Sequence, residues 1–265
     1  MADAVFNEVD LIYADKKDAR FWKEHGKQYN YLFWVRAMLT RTPEPPPLEA
    51  PGLECREEVP AVSRASSRSV LYRRMAQGFR YADAALAEAL VRGDYDRALQ
   101  DAVTRLGSGP LIQEGLHWIQ AFRGKDPEET LDHLQTKYTR LFYDSYLPFV
   151  PPYESVYCNE QQVRGAREDA VRAFYREVGY AACGEDLLDH IAEELECLGF
   201  LAEREAGGSD TAAADAFLRE HLLRWGTKLC MDVEALAGSP FYRGLAMVLR
   251  GALILEHRRL GAPAS

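Results

Sequence analysis

Within EDLLDHIAEELECLGFLAERE, His190 and Glu194 stand four residues apart, the spacing that brings two side chains together on one helix face. At about 100° per residue, Leu188, Ile191, Leu195, Leu198 and Ala202 form an apolar stripe. His190, Glu194, Cys197 and Leu201 form a second stripe beside it, with Leu187 between the two. Glu194 therefore falls inside the apolar arc, Glu193 and Glu196 point away, and Asp189 lies on the polar side near the helix start. A carboxylate in an apolar arc needs a partner, and His190 is the nearest one. Three chemistries stay open: a buried structural pair, a peptide-binding groove built around that pair, or a metal or catalytic site. The last would be a helical metalloprotein using His190, Glu194 and His221. One His and one Glu are too few ligands alone, and His221 sits amid Ala214, Phe217, Leu218, Leu222 and Trp225, where a core histidine is the simpler reading.

The remaining candidates for chemistry are sparse. The five cysteines (Cys55, Cys158, Cys183, Cys197, Cys230) form no CxxC pair, so neither a zinc knuckle nor a disulfide framework is suggested, and free thiols fit a reducing compartment. No P-loop or glycine-rich phosphate cradle occurs. Against 32 basic residues stand 41 acidic ones, a net charge of −9, which disfavours nucleic acid and anionic membrane and suits a basic peptide. The N-terminus is acidic and lacks an apolar run, and no segment reads as a membrane span. Arg73-Arg74 is internal and followed by too polar a stretch to be an export signal. These features predict a cytoplasmic protein with no catalytic residues, no metal and no cofactor.

The elements that must position these residues are helical. Helices are expected at roughly 66–80, 83–91, 94–105, 110–122, 127–142, 159–178, 185–206, 210–226, 227–237 and 240–259, punctuated by glycine- and proline-containing turns. No alternating β pattern of useful length interrupts them. The last, FYRGLAMVLRGALILEHRRLG, is apolar nearly all round and is expected at the bundle centre. Before residue 63, an aromatic-rich amphipathic helix around 18–39 is followed by a linker with six prolines between Pro43 and Pro60. The fold class expected is all-α: a single bundle of about ten helices with a proline-rich crossover and an N-terminal helical extension. The boundaries drawn are 1–62 for the extension and 63–265 for the bundle, in halves 63–147 and 148–265. The extension covers an apolar patch on its own bundle or on a second copy, giving a monomer or an exchanged dimer.

The crossover, DSYLPFVPPYESVY at 144–157, sets prolines and aromatics around the polar cluster Tyr153, Glu154 and Ser155. It reads either as an ordered connection packed on the bundle or as a rigid surface with apolar pockets, which binds a peptide at little entropic cost.

Four stretches in this order resemble the TorD/DmsD/NarJ-type cytoplasmic chaperones for molybdoenzymes. LYRRMAQGFRYAD (71–83) is similar to that family's first helix. Tyr138-Thr139-Arg140-Leu141-Phe142, followed by prolines and by Pro152-Tyr153-Glu154-Ser155-Val156-Tyr157, resembles its Y-x-R-L-F … P-x-x-S-x-Y pattern. Asp189-His190-Ile191 with Glu194-Leu195-Glu196 matches its D-H-[IL]-x-x-E-L-E core, and FLREHLLRW (217–225) its late F-x-x-x-H-L-x-x-W helix. The resemblance covers residues 66–259.

The resemblance implies a non-enzymatic, system-specific chaperone. Its partners would be the apo catalytic subunit of a molybdopterin oxidoreductase and that subunit's twin-arginine signal peptide, held during cofactor insertion and before export. It places peptide binding at Tyr138, Arg140, Phe142, Pro152, Tyr153, Glu154, Ser155, Tyr157, Asp189, His190 and Glu194. An arginine motif with an apolar tail suits an acidic rim beside an apolar groove, with Asp189 as the preferred arginine partner and residues 150–157 as the apolar wall.

Overall fold

A computed structural model describes residues 61–144, 149–158, 165–182, 187–208 and 212–261. The helix expected around 18–39, the proline linker, Cys55 and Cys183 lie outside the described residues. Eleven α-helices fill the described part: α1 Ala61–Phe79, α2 Ala84–Arg92, α3 Asp94–Leu106, α4 Pro110–Gln120, α5 Pro127–Phe142, α6 Glu154–Tyr157, α7 Ala166–Val178, α8 Ile191–Ala206, α9 Ala212–Phe217, α10 Leu223–Leu236 and α11 Pro240–Gly261. No strand is present among these residues, and the all-α architecture read from the sequence holds.

The local punctuation is chemical. Asp83 caps α2 by accepting from Leu86 N at 2.8 Å. Asp126 caps α5 from both Glu128 N and Glu129 N, with Pro127 in the first turn where its missing N–H costs nothing. Gly93 ends α2 at φ 74° and lets α3 start at once.

Two close packings organise the bundle. The long α1 lies along α8, and α4 lies along α11, so elements from both sides of the crossover share one core. Where α4 meets α11, a Cβ on Gly115 would stand 2.6 Å from Gly244 O, and one on Gly244 would stand 2.5 Å from Gly115 O. Only paired glycines let these backbones touch. Helix α11 buries Leu245, Val248, Leu249 and Leu253 completely and runs through the centre, as its all-round apolarity predicts. Each such side chain contributes about 1.5–3 kcal/mol relative to exposure. Among the described residues no helix is long and apolar enough to cross a membrane.

Several boundaries differ from the sequence reading: the helix expected from 66 begins at Ala61, and the one expected at 159–178 begins at Ala166 after a bend at Gly165. The expected break at 226/227 is absent: α9, a π-helical turn over Leu218–Leu222 and α10 run on as one helix. Gly226 serves packing there, because a Cβ would meet Leu253 Cδ1 at 2.9 Å. The helix expected from about 185 begins at Ile191, after an extended His190 (φ −72°, ψ 139°).

Candidate functional site

That late helix start changes the chemistry of the Asp-His pair. His190 is the N-cap of α8, and its Nδ1 accepts from Ala192 N at 3.1 Å. The ring thus satisfies an orphan backbone donor of its own helix. Glu194 is buried as expected but does not pair with His190. The four-residue rule requires both residues inside the helix, and His190 lies before it. Glu194 Oε2 instead accepts from the indole Nε1 of Trp225 at 3.1 Å, and among the described residues its Oε1 has no hydrogen-bond partner. Asp189, for the same reason, is not on a polar face. It is fully buried and accepts from Ser155 N at 3.0 Å, capping α6.

The crossover and the start of α8 are stitched together by backbone. Glu154 N donates to Asp189 O, and Ile191 N donates to Pro152 O, each at 2.9 Å, forming an antiparallel bridge between Tyr153 and His190. The edge of one ring meets the face of the other with centroids 5.3 Å apart. Upstream, Val150 N donates to Leu141 O at 2.7 Å and fastens the crossover to the end of α5.

Beneath the stitch lies a buried polar knot centred on Glu154. Its Oε2 is 2.9 Å from Nδ1 of His221, and its Oε1 is 3.5 Å from Nη1 of Arg167. His221 reaches it from the π-helical turn and stacks on Phe217 at 4.8 Å. An extra residue in a helical turn re-aims side chains, and such turns concentrate at sites. Burial first, and then the charge of Glu154, hold the Glu194 carboxyl well above the ordinary carboxylate range.

At the far end of α6, the Tyr157 hydroxyl donates to Asp232 Oδ2 at 3.1 Å. Burial pushes Asp232 up to about 6. Burial and Glu154 push the Cys158 thiol up to about 11, which leaves it a poor nucleophile.

Eight of the eleven residues named from the sequence are buried: Tyr138, Phe142, Pro152, Glu154, Ser155, Asp189, His190 and Glu194. Tyr153 and Tyr157 are half-buried and Arg140 is exposed. Tyr138 and Phe142 belong to a separate aromatic cluster with Tyr242, where Tyr138 donates to Phe79 O at 3.0 Å. Sequence reasoning missed Arg167 and Asp232 and did not place Trp225 in the site. The available signal for Trp225 was its four-residue spacing from His221. The metal set of His190, Glu194 and His221 is not assembled. Among the described residues, no group of three or more His, Cys, Asp or Glu side chains is placed to hold a metal ion.

The region that builds this site is also the region shared with other proteins. A model of the family described as nitrate reductase delta subunit matches residues 74–231, from within α1 to within α10. Over 104 residues the chain is 35% identical to the chaperone protein YcdY of Escherichia coli (strain K12). That match covers 39% of this chain and 53% of YcdY, so the chain spans about half the length of this relative.

Proposed function

The chain belongs to the nitrate reductase delta subunit family, and on that premise we propose that it is a chaperone that binds another polypeptide during the maturation of a molybdoenzyme. The client is the apo catalytic subunit of a molybdopterin oxidoreductase, engaged through its N-terminal twin-arginine signal peptide. One observation carries the reading. The crossover is a short, rigid, proline-stiffened ridge whose backbone is bonded to Asp189 and Ile191, with Tyr153 and Tyr157 partly accessible on it. A ridge already ordered loses little entropy on binding, and tyrosines supply broad contact with few rotors.

On this reading the eleven residues divide by role. Tyr153, Tyr157 and Arg140 make the peptide contacts. Pro152, Glu154, Ser155, Asp189, His190 and Glu194 hold the ridge in shape, and Tyr138 and Phe142 support the end of α5. The net charge of −9 favours encounter with an arginine-bearing segment. Titrating a fluorescent twin-arginine signal peptide into the wild-type chain and into Tyr153→Ala and Arg140→Ala variants tests this. Each variant is expected to bind roughly tenfold or more weakly with an unchanged melting temperature. Equal affinity in all three proteins sinks the proposal for this surface.

A further inference from the structure

Buried carboxylates in this chain come with a cation, apart from three that lie together. Of the eight carboxylates buried among the described residues, Asp96, Glu154, Glu168, Glu193 and Glu256 each face an arginine within 3.5 Å. Among the same residues, Asp189, Glu194 and Asp232 form no ion pair. All three reach the crossover. Asp189 does so through Ser155 N, Asp232 through the Tyr157 hydroxyl, and Glu194 through Trp225, whose ring lies 5.6 Å from that of Tyr157.

Two of the three are closed off, since Asp189 Oδ1 and Glu194 Oε1 are out of solvent and without a hydrogen-bond partner. Asp232 Oδ2 takes the Tyr157 hydroxyl at 3.1 Å, and its Oδ1 is not sealed in this way. A carboxylate held at low dielectric without a cation gains strongly from one that a partner brings. We propose, resting on the signal-peptide reading above, that Asp232 and the ring of Tyr157 form the seat of one client arginine, with the apolar residues that follow it running along α10 past Leu236.

Helix α10 puts the parts of this seat on one face, because Trp225, Lys228, Asp232 and Leu236 recur at intervals of three and four residues. Helix α6 packs against α10 and lays Tyr157 on that face. The half-buried Tyr157 ring already has a cation at its face, with Lys228 Nζ 6.0 Å from the ring centre. Lys228 forms no ion pair with Asp232, so the carboxylate still has room for a charge. A planar guanidinium stacks on an aromatic ring and donates from its edge to a carboxylate at the same time, which the point charge of an ammonium does less well. One turn beyond Asp232, Leu236 is among the few large apolar side chains exposed in the described part, and it suits an uncharged stretch after the arginines. The seat takes over the role that the sequence pattern gives to Asp189, which the fold buries.

The test uses the full chain at pH 8, above the value of about 6 to which burial raises Asp232, so that the carboxylate is ionised. Two fluorescent peptides are titrated, one with two arginines before an apolar stretch and one with glutamines in their place. The wild type should prefer the arginine peptide by about tenfold or more, and Asp232→Asn, which keeps an acceptor for the Tyr157 hydroxyl, should lose that preference. A wild type that binds neither peptide overturns the signal-peptide reading and the seat with it. A wild type that prefers arginine, beside an Asp232→Asn variant that prefers it equally, overturns the seat alone. An equal loss of affinity for both peptides marks Asp232 as merely shaping the ridge and overturns the seat as well. Carbodiimide coupling of a lysine-substituted peptide to the wild-type chain needs no variant to fold. The new amide should form at Asp232, and coupling confined to other carboxylates overturns the seat.

Discussion

Tyr153 and His190, distant in the chain, are joined as an antiparallel bridge in which the flanking amides of Glu154 and Ile191 donate across at 2.9 Å. This places the carboxylate of Asp189 beneath the first turn of α6, where it accepts from Ser155 N. A backbone bridge positions a cap, and the cap orients Glu154. Asp189→Ala removes the cap acceptor from a buried amide and should cost about 1–2 kcal/mol in urea unfolding. Asp189→Asn keeps an acceptor oxygen and should recover most of that loss. An Asp189→Ala variant as stable as wild type would remove Asp189 from this role.

Glu194 has a buried group that depends on it. Glu194→Ala leaves the buried Trp225 indole N–H without its acceptor. The expected loss is about 1–3 kcal/mol. The accompanying readout is Trp225 fluorescence, which should shift when its nearest polar partner is removed. His190→Ala should leave that fluorescence unchanged, since His190 bonds to Ala192 and not to Glu194. A shared spectral response would restore the pairing that helical spacing alone suggests.

How much of this was legible in the sequence depends on the range of the contact. The all-α class, the central place of α11 and the burial of Glu194 follow from periodicity, which is a local signal. The partner of Glu194 does not, because extending the helical projection back through Asp189 and His190 assumes a helix where Asp189 lies in a turn and His190 is extended. The π-helical turn was equally hidden: Leu218–Leu222 has ordinary helical composition, and one inserted residue is set by what His221 must reach. Glu154 was visible as part of a polar cluster, but its contact with His221 spans α7, α8 and α9. Of the motifs that the resemblance picks out, Pro152–Tyr157, Asp189–Glu194 and His221–Trp225 meet in one neighbourhood, whereas Tyr138 and Phe142 lie in a separate aromatic cluster.

The glycine pair between α4 and α11 makes a direct packing prediction. Gly244→Ala puts a methyl group 2.5 Å from Gly115 O and 2.9 Å from Trp118 Cβ, where one obstacle is backbone and cannot rotate aside. The two helices must separate, at an expected cost of about 1–3 kcal/mol or more by thermal or chemical unfolding. Gly238→Ala is the control, because its Cβ would meet nothing closer than Lys137 Nζ at 3.8 Å. Equal stabilities for the two variants would show that the helix contact is looser than described.

At the other end of α11, Glu256 gathers three donors. Its Oε1 accepts from Arg68 Nε at 2.8 Å and from the Tyr72 hydroxyl at 2.7 Å, and its Oε2 accepts from Arg259 Nε at 2.7 Å. Burial alone would raise its pKa, but Arg68 and Arg259 outweigh it and hold the carboxyl below its ordinary range. Glu256→Gln should therefore lose about 3–5 kcal/mol, because it strands the buried Arg68 beside a neutral amide. Glu205 and Asp215 also pair with Arg68 and set the lower end of that range. A loss below about 1 kcal/mol would mean those two carboxylates suffice without Glu256.

Asp232 offers a prediction with a defined pH window. It is 6% exposed on α10, receives the Tyr157 hydroxyl at 3.1 Å and lies one turn from Lys228. Burial raises its pKa to about 6, although Tyr157 and Lys228 both pull it down. The folded chain thus holds this proton more tightly than the unfolded chain, whose carboxyl takes the ordinary value near 3.9. The sign follows: the stability contributed by the bound proton is complete below about pH 4 and is lost as pH rises through about 6. A shift of this size corresponds to at most roughly 3 kcal/mol. Asp232→Asn cannot bind or release that proton while still accepting from Tyr157. Its stability relative to wild type should therefore climb between pH 4 and pH 7 and stay level beyond. Urea midpoints collected at half-unit pH intervals for both proteins give the curve. Parallel curves across that window would show that Asp232 titrates no differently in the folded chain, and that the far end of α6 carries no proton-linked contact.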